Sequence, residues 1–349
     1  MTVSASVVPN SVAVTPVSPA SISLGFSYPH LDVDADYLSF YGRLNQHDAA
    51  VRRIAIMAIA DEENSELLPW LHFAVTHDPA PEVRQEAAIR LEGWEDAETL
   101  TALSSALLDS TLAVKQAAAQ SLSEIKQADS IAPLLPLLTH DDSYVRAATL
   151  RAIRELRPLQ AFDAIVANIH HADVQVRREA VSTLGWLKQP QAQPLLAQLT
   201  TTDPDAEVRR IATGALGIEA LVSAEVEQAL LTALHDEVWQ IRVEAALTLG
   251  KVNVQSAIAP LIATLDDPYW QVRIPAARSL GKLKATQAVV ALAAPLQHEI
   301  SNLRKEAALA LGEIGGVNAL HLLQHAEHDT DPEVRKAVRI AILQIQQAG

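Results

Sequence analysis

The side chains able to do chemistry are few and unevenly placed. His321 and His325 stand four apart near the C-terminus, with His328 beyond them. On a helix, positions i and i+4 share a face, so His321 and His325 are the candidate metal pair, but no third ligand follows at ligand spacing. Asp32, Asp34 and Asp36 imitate the start of a calcium loop, yet the places that need Gly and Glu hold Tyr37 and Arg43. There is no cysteine, which removes thiolate ligands, disulfides and a cysteine nucleophile together. The expectation is no catalytic residue, no bound metal and no cofactor.

Cations and aromatics point instead to binding. Arg151, Arg154 and Arg157 crowd one stretch, and Arg178 and Arg210 follow at related places. Together they form a candidate basic patch for an acidic protein surface or an anionic ligand. Glu155, Glu179 and Glu207 intervene and are the obvious neutralisers. Tyr144, Trp239, Tyr269 and Trp270 make a candidate aromatic edge, since Tyr and Trp anchor interfaces; packing between neighbouring turns is the plainer use of the same residues.

Composition narrows the class. The formal charge of −15 argues against general nucleic-acid binding, which needs a basic footprint. No apolar run reaches the ~18 residues of a membrane span, so a soluble cytoplasmic protein is expected. Apolar residues make up 49% and aromatics only 4%, a bias toward alanine and leucine that suits closely packed helices.

These residues are positioned by a repeat. A hydrophobic–basic pair recurs as Val51-Arg52, Val83-Arg84, Val114-Lys115, Val145-Arg146, Val176-Arg177, Val208-Arg209, Ile241-Arg242, Val272-Arg273, Leu303-Arg304 and Val334-Arg335, in steps of 31–33 residues. A period of that size marks a solenoid. Each repeat reads as helix A, a tight turn, helix B and a short linker; in the eighth, helix A is expected over 254–265 and helix B over about 269–283. Alanine pairs such as Ala276-Ala277 let helix B approach its neighbours. Gly185, Gly217, Gly250, Gly281 and Gly312 fall where helix B should end, the usual place of a left-handed cap. Pro275 lies early in helix B and predicts a local distortion rather than a break. An acid stands six residues before most of the bases, as in Asp78–Arg84 and Asp329–Arg335, suited to cap helix B and to pair with a base of an adjacent repeat. His140, His171 and His298 replace that acid as turn hydrogen-bond partners.

The phrase D-x-x-x-x-V-R-x-x-A-A-x-x-L-G at this step resembles the HEAT-like repeat of the phycobilin-lyase type, over about residues 36–347. The resemblance implies an all-α fold, a right-handed α-solenoid of about ten HEAT-like helix pairs, with B helices on the concave face and a structural Asp–Arg ladder. It also raises the deoxyhypusine-hydroxylase type, whose His-Glu pairs early in helix B hold iron. The matching positions here are Gln85-Glu86, Arg178-Glu179, Val243-Glu244 and Lys305-Glu306, so that activity is not expected.

Residues 1–30 are expected to be a disordered or loosely docked tail and 31–349 the solenoid. The function expected is a non-enzymatic scaffold or adaptor that binds a partner protein on the concave face. An accessory subunit in chromophore or cofactor attachment, similar to bilin lyase subunits, and a metal-handling accessory protein are the alternatives. Apolar residues spread around the last helix, including Ile340 and Leu343, and suggest a homo-oligomer formed through it.

Overall fold

A computed structural model describes residues 26–127, 131–218 and 222–348. In chain order its helices are α1 (Leu38–Leu44), α2 (Ala49–Asp61), α3 (Leu68–His77), α4 (Pro81–Arg90), α5 (Ala97–Ala106), α6 (Leu112–Ser123), α7 (Ser143–Ile153), α8 (Phe162–Val166) and α9 (Val174–Leu187), followed by α10 (Gln193–Thr202), α11 (Ala206–Ala215), α12 (Ala224–Ala233), α13 (Trp239–Lys251), α14 (Ile258–Thr264), α15 (Trp270–Lys282), α16 (Ser301–Ile314), α17 (Val317–His325) and α18 (Pro332–Ala348). The described residues contain no strand. The fold is an α-solenoid.

The B helices are α2, α4, α6, α7, α9, α11, α13, α15, α16 and α18, one for each hydrophobic–basic pair. Successive B helices touch along more of their length than successive A helices, which places the B layer on the inner side of the stack. The A layer is less regular. In the fourth repeat it is a 3-10 turn, Leu135–Thr139, and in the ninth three short ones between Thr286 and Gln297. Pro136 and Pro295 lie in these turns and contribute, because each lacks a backbone donor.

No repeat covers its own apolar face. Val83, Val114, Val145, Val176, Val208, Ile241, Val272, Leu303 and Val334 are fully buried, as are Ala245, Ala246, Ala276, Ala277, Ala307 and Ala308 between helices. Side-chain hydroxyls tie the B helices together: Ser121 donates to the carbonyl of Ala88, Thr183 to that of Leu150 and Ser279 to that of Ala246, at 2.7–3.0 Å.

Gly185, Gly250, Gly281 and Gly312 serve this approach, and none of the five repeat glycines is a left-handed cap. A Cβ on Gly250 would lie 2.2 Å from Ser279 Oγ, and one on Gly312 would lie 2.8 Å from Ala341 Cα. The left-handed conformation falls three residues later, on Lys188, Asn253 and Lys284, and on Arg157 at the equivalent place. Pro275 sits inside α15, which continues through it. At the N-terminus Asp36 lies inside a 3-10 turn, Ala35–Tyr37, that leads into α1.

Residues 1–25 of the expected tail lie outside the described residues. Phe26 to His30, also assigned to that tail, dock against the first repeats. Tyr28 is 2% exposed and its hydroxyl donates to Asp78 Oδ2 at 2.8 Å. Trp70 Nε1 donates to the carbonyl of Pro29, and Phe26 stacks on Phe73.

Candidate functional site

The inner layer presents two edges, one where the A–B turns lie and one where the B helices end. The turn edge carries the ladder. Each complete rung joins an arginine at the start of one B helix to an aspartate in the next turn. Arg84 grips Asp109 through Nε and Nη2 at 2.6 and 3.0 Å. Arg177 holds Asp203, Arg209 holds Asp236, Arg242 holds Asp267 and Arg304 holds Asp329 in the same two-pronged way. The acid six residues upstream gives its arginine the backbone carbonyl instead, as Asp203 does for Arg209 and Asp329 for Arg335. Its carboxylate accepts an N–H of its own turn, that of Asp205 or Asp331 here. One aspartate thus both caps a turn and joins two repeats.

The first rung is the most enclosed. The side chains of Arg52 and Asp78 are 2% and 0% exposed, and Asp78 also accepts from Tyr28 and from the Ala80 N–H. Burial, then Asp78, push the Tyr28 hydroxyl far above the ordinary tyrosine range, so Tyr28 stays a donor. Further along, the hydrogen bond from Arg304 holds the Asp329 carboxyl below the usual range against the cost of burial, and Lys115 does the same for Asp142.

Histidine fills the aspartate's place three times and does half of its work. His140, His171 and His298 accept the N–H of Asp142, Asp173 and Ile300 through Nδ1 at 3.0–3.1 Å. A single ring nitrogen cannot also take a guanidinium fork. Lys115 therefore reaches Asp142, Arg146 uses the buried Asn168, and Arg273 reaches only the carbonyl of Asp267.

Of the five arginines proposed as a basic patch, four are matched by acids. Arg151 and Arg154 both reach Glu179, Arg178 takes Asp205 in two bonds, and Arg210 takes Glu207 and approaches Glu244. The hydrogen bond from Arg210 lowers Glu207, whereas burial raises Glu244 despite Arg210 and Lys251. The four glutamates that would stand beside iron-binding histidines face arginines: Glu86 accepts from Arg53 and Arg90, Glu179 from Arg151, Glu306 from Arg278, and Glu244 lies 3.7 Å from Arg210.

Arg157, the fifth, pairs with no carboxylate among the described residues. Its guanidinium lies 5.6 Å over the ring of Trp186. Arg157, Trp186, Lys188 and Lys251 rim a cavity of about 400 Å³ on a floor that includes Gly185 and Gly217. Trp186, Lys188 and Lys251 were not among the expected site residues. Their signal was a basic residue ten or twelve places after the repeat valine, repeated in Arg157, Lys188, Lys251, Lys282 and Lys284.

The aromatic edge is partly a packing device. Trp239 stacks on Tyr269 at 5.9 Å, and Arg242 lies 5.6 Å from the Tyr269 ring. Tyr269 remains 46% exposed, while Tyr144 and Trp270 are half-buried in their own turns. His321 and His325 are both exposed on α17. His325 and His328 line a cavity with His298 that His321 does not join, and the described residues contain no group of three ligands placed to hold a metal ion.

The family model for HEAT repeats matches residues 41–123, 68–153, 131–217, 201–277 and 258–342. A comparison with curated proteins found no match. Among solved structures, Kap95p studied with RanGDP is 14% identical, with a TM-score of 0.62 over 90% of this chain and 50% of that one. Importin beta is 15% identical, with a TM-score of 0.60 over 88% of this chain and 50% of that one. An engineered protein is 22% identical, with a TM-score of 0.52 over 90% of this chain and 99% of that one. This chain therefore spans about half the length of the two transport proteins, and at these identities the likeness is one of fold. With matches from residue 41 to residue 342, the chain belongs to the HEAT-repeat proteins.

Proposed function

We propose that this chain is a non-enzymatic interaction scaffold that holds a partner protein against its inner, B-helix face. The observation that supports the reading most is how the charges on that face are arranged. Arg151 meets Glu179, Arg178 meets Asp205 and Arg278 meets Glu306 across successive repeats. These pairs fix polar side chains on the face before any partner arrives, and preorganisation lowers the cost of binding. Kap95p, of the same fold, is described as binding RanGDP, which agrees with a protein as the ligand. We place the scaffold in the cytoplasm on its acidic composition, and its repeat with the phycobilin-lyase type on the quoted phrase.

The test is affinity capture from native lysate with three baits. Arg151→Ala with Arg278→Ala changes exposed inner-face residues, and Thr101→Ala with Thr232→Ala changes the outer A layer. The inner-face bait should lose a partner several-fold while the outer-face bait keeps it. Equal capture by all three, or loss only from the outer-face bait, contradicts the proposal.

A second surface supports self-association. On α18, Val334, Val338 and Ile342 are buried, but Ile340 and Leu343 are 48% and 55% exposed. Sedimentation at rising concentration should show a dimer that Ile340→Glu with Leu343→Glu abolishes; a strict monomer throughout contradicts it.

A further inference from the structure

The cations at the far edge of the inner face differ from all those of the ladder. Arg157 and Lys188 are left-handed residues just past α7 and α9, Lys251 and Lys282 end α13 and α15, and Lys284 is the left-handed residue past α15. All five are exposed, and among the described residues none forms an ion pair. The helix dipole alone rationalises a cation at each helix end. It does not explain why they lie in a row, unmatched, on a chain of charge −15. Nor does it explain the cavity that three of them share with Trp186, which is 41% exposed.

We propose that this edge receives an extended acidic segment of the partner protein, with one apolar side chain seated on Trp186 and carboxylates on Arg157, Lys188 and Lys251. The inference rests on the scaffold reading and names the partner's chemistry. Length favours a chain over a small anion. The row runs from the fourth repeat to the eighth, and four helix-to-helix steps of about 8–10 Å cover roughly 32–40 Å. At about 3.3 Å per residue an extended segment needs roughly ten to twelve residues to follow it. The row has a gap in the sixth repeat, where the corresponding positions hold Ile218 and Ala220 instead of a cation. Two acids stand near the row. Glu244 lies beneath Gly214 beside Arg210 and Lys251, and Glu313 lies near Lys282 and Lys284. They leave the edge with more cations than carboxylates.

The test is fluorescence anisotropy with a labelled dodecapeptide of alternating Glu and Leu, titrated with the full chain. Binding should weaken at least tenfold in the Lys188→Glu, Lys251→Glu variant, severalfold in Trp186→Ala, and steeply with added salt, while Lys336→Glu with Arg339→Glu leaves it unchanged. Circular dichroism of each variant confirms that it is folded. A peptide of alternating Gln and Leu should not bind. Equal binding by the Lys188→Glu, Lys251→Glu variant, or none by the wild type, overturns the proposal. So does tighter binding of citrate or of a twelve-nucleotide single-stranded DNA than of the peptide. Should a captured partner depend on Arg151 and Arg278 but not on Lys188 and Lys251, the scaffold reading stands and the acidic-segment proposal falls.

Discussion

The two edges of the inner layer use positive charge in opposite ways. At the turn edge, Arg84, Arg177, Arg209, Arg242 and Arg304 each face an aspartate in two bonds and are largely shielded from water. At the other edge, Arg157, Lys188, Lys251, Lys282 and Lys284 stand exposed and form no ion pair among the described residues, with only Glu244 and Glu313 nearby. The same net charge on a side chain therefore has two consequences. A guanidinium enclosed with its carboxylate is part of the architecture, since losing one partner strands the other. An exposed ammonium at a helix end contributes little to stability and stays available to a ligand.

The sharpest way to break this contrast is at the first rung. Arg52→Ala leaves Asp78 buried with Tyr28 and one backbone N–H, and the loss should be about 3–5 kcal/mol. Urea unfolding should show it, with hydrogen exchange faster in α2–α4 than in α16–α18. A loss below about 1 kcal/mol would mean that the rung is not structural.

Acid should dismantle the turn edge next. Asp142, Asp205 and Asp329 are depressed chiefly by Lys115, Arg178 and Arg304. A depressed carboxyl stabilises the fold fully above its unfolded value of about 4, and that stabilisation disappears as pH falls through the lower folded value. The melting temperature should hold from pH 7 to about 5 and drop below about 4, and Asp329→Asn should flatten part of that drop. A decline beginning near pH 6 would contradict the assignment.

A smaller effect comes from completing a rung. Arg273 has only a carbonyl where its neighbours have a carboxylate, because His298 occupies the acid's place. His298→Asp can accept both the Ile300 N–H and the Arg273 fork, and should raise stability by about 0.5–1 kcal/mol. Destabilisation in the urea midpoint would show that the imidazole does more than cap its turn.

Much of the turn edge was legible in the sequence, for a physical reason. Its chemistry is local and periodic, so Asp329 six residues before Arg335 reveals the turn, and the 31-residue step brings the preceding repeat's Arg304 to the same acid. The glycines misled because Gly250 and Gly312 stand near helix ends, where caps are common. Their requirement comes from Ser279 and Ala341, one repeat away. The ion pairs of the basic patch also reach across one repeat. Glu179 was legible as a neutraliser of Arg151, whereas nothing local to Arg178 announces Asp205 as its partner 27 residues later. The cations of the other edge were hidden by their ordinariness, since a lysine at a helix end invites no explanation until its neighbours are seen to be unpaired.

The most direct test of the contrast compares Arg304→Gln with Lys282→Gln in parallel urea titrations. The two residues lie in adjacent repeats, so both report on the same part of the stack. Arg304 holds Asp329 at 2.7 and 2.8 Å, and its loss should cost about 1.5–3 kcal/mol. Lys282, exposed at the end of α15, should cost less than about 1 kcal/mol. Equal losses, or a larger one for Lys282→Gln, would contradict the division of the two edges into structure and recognition.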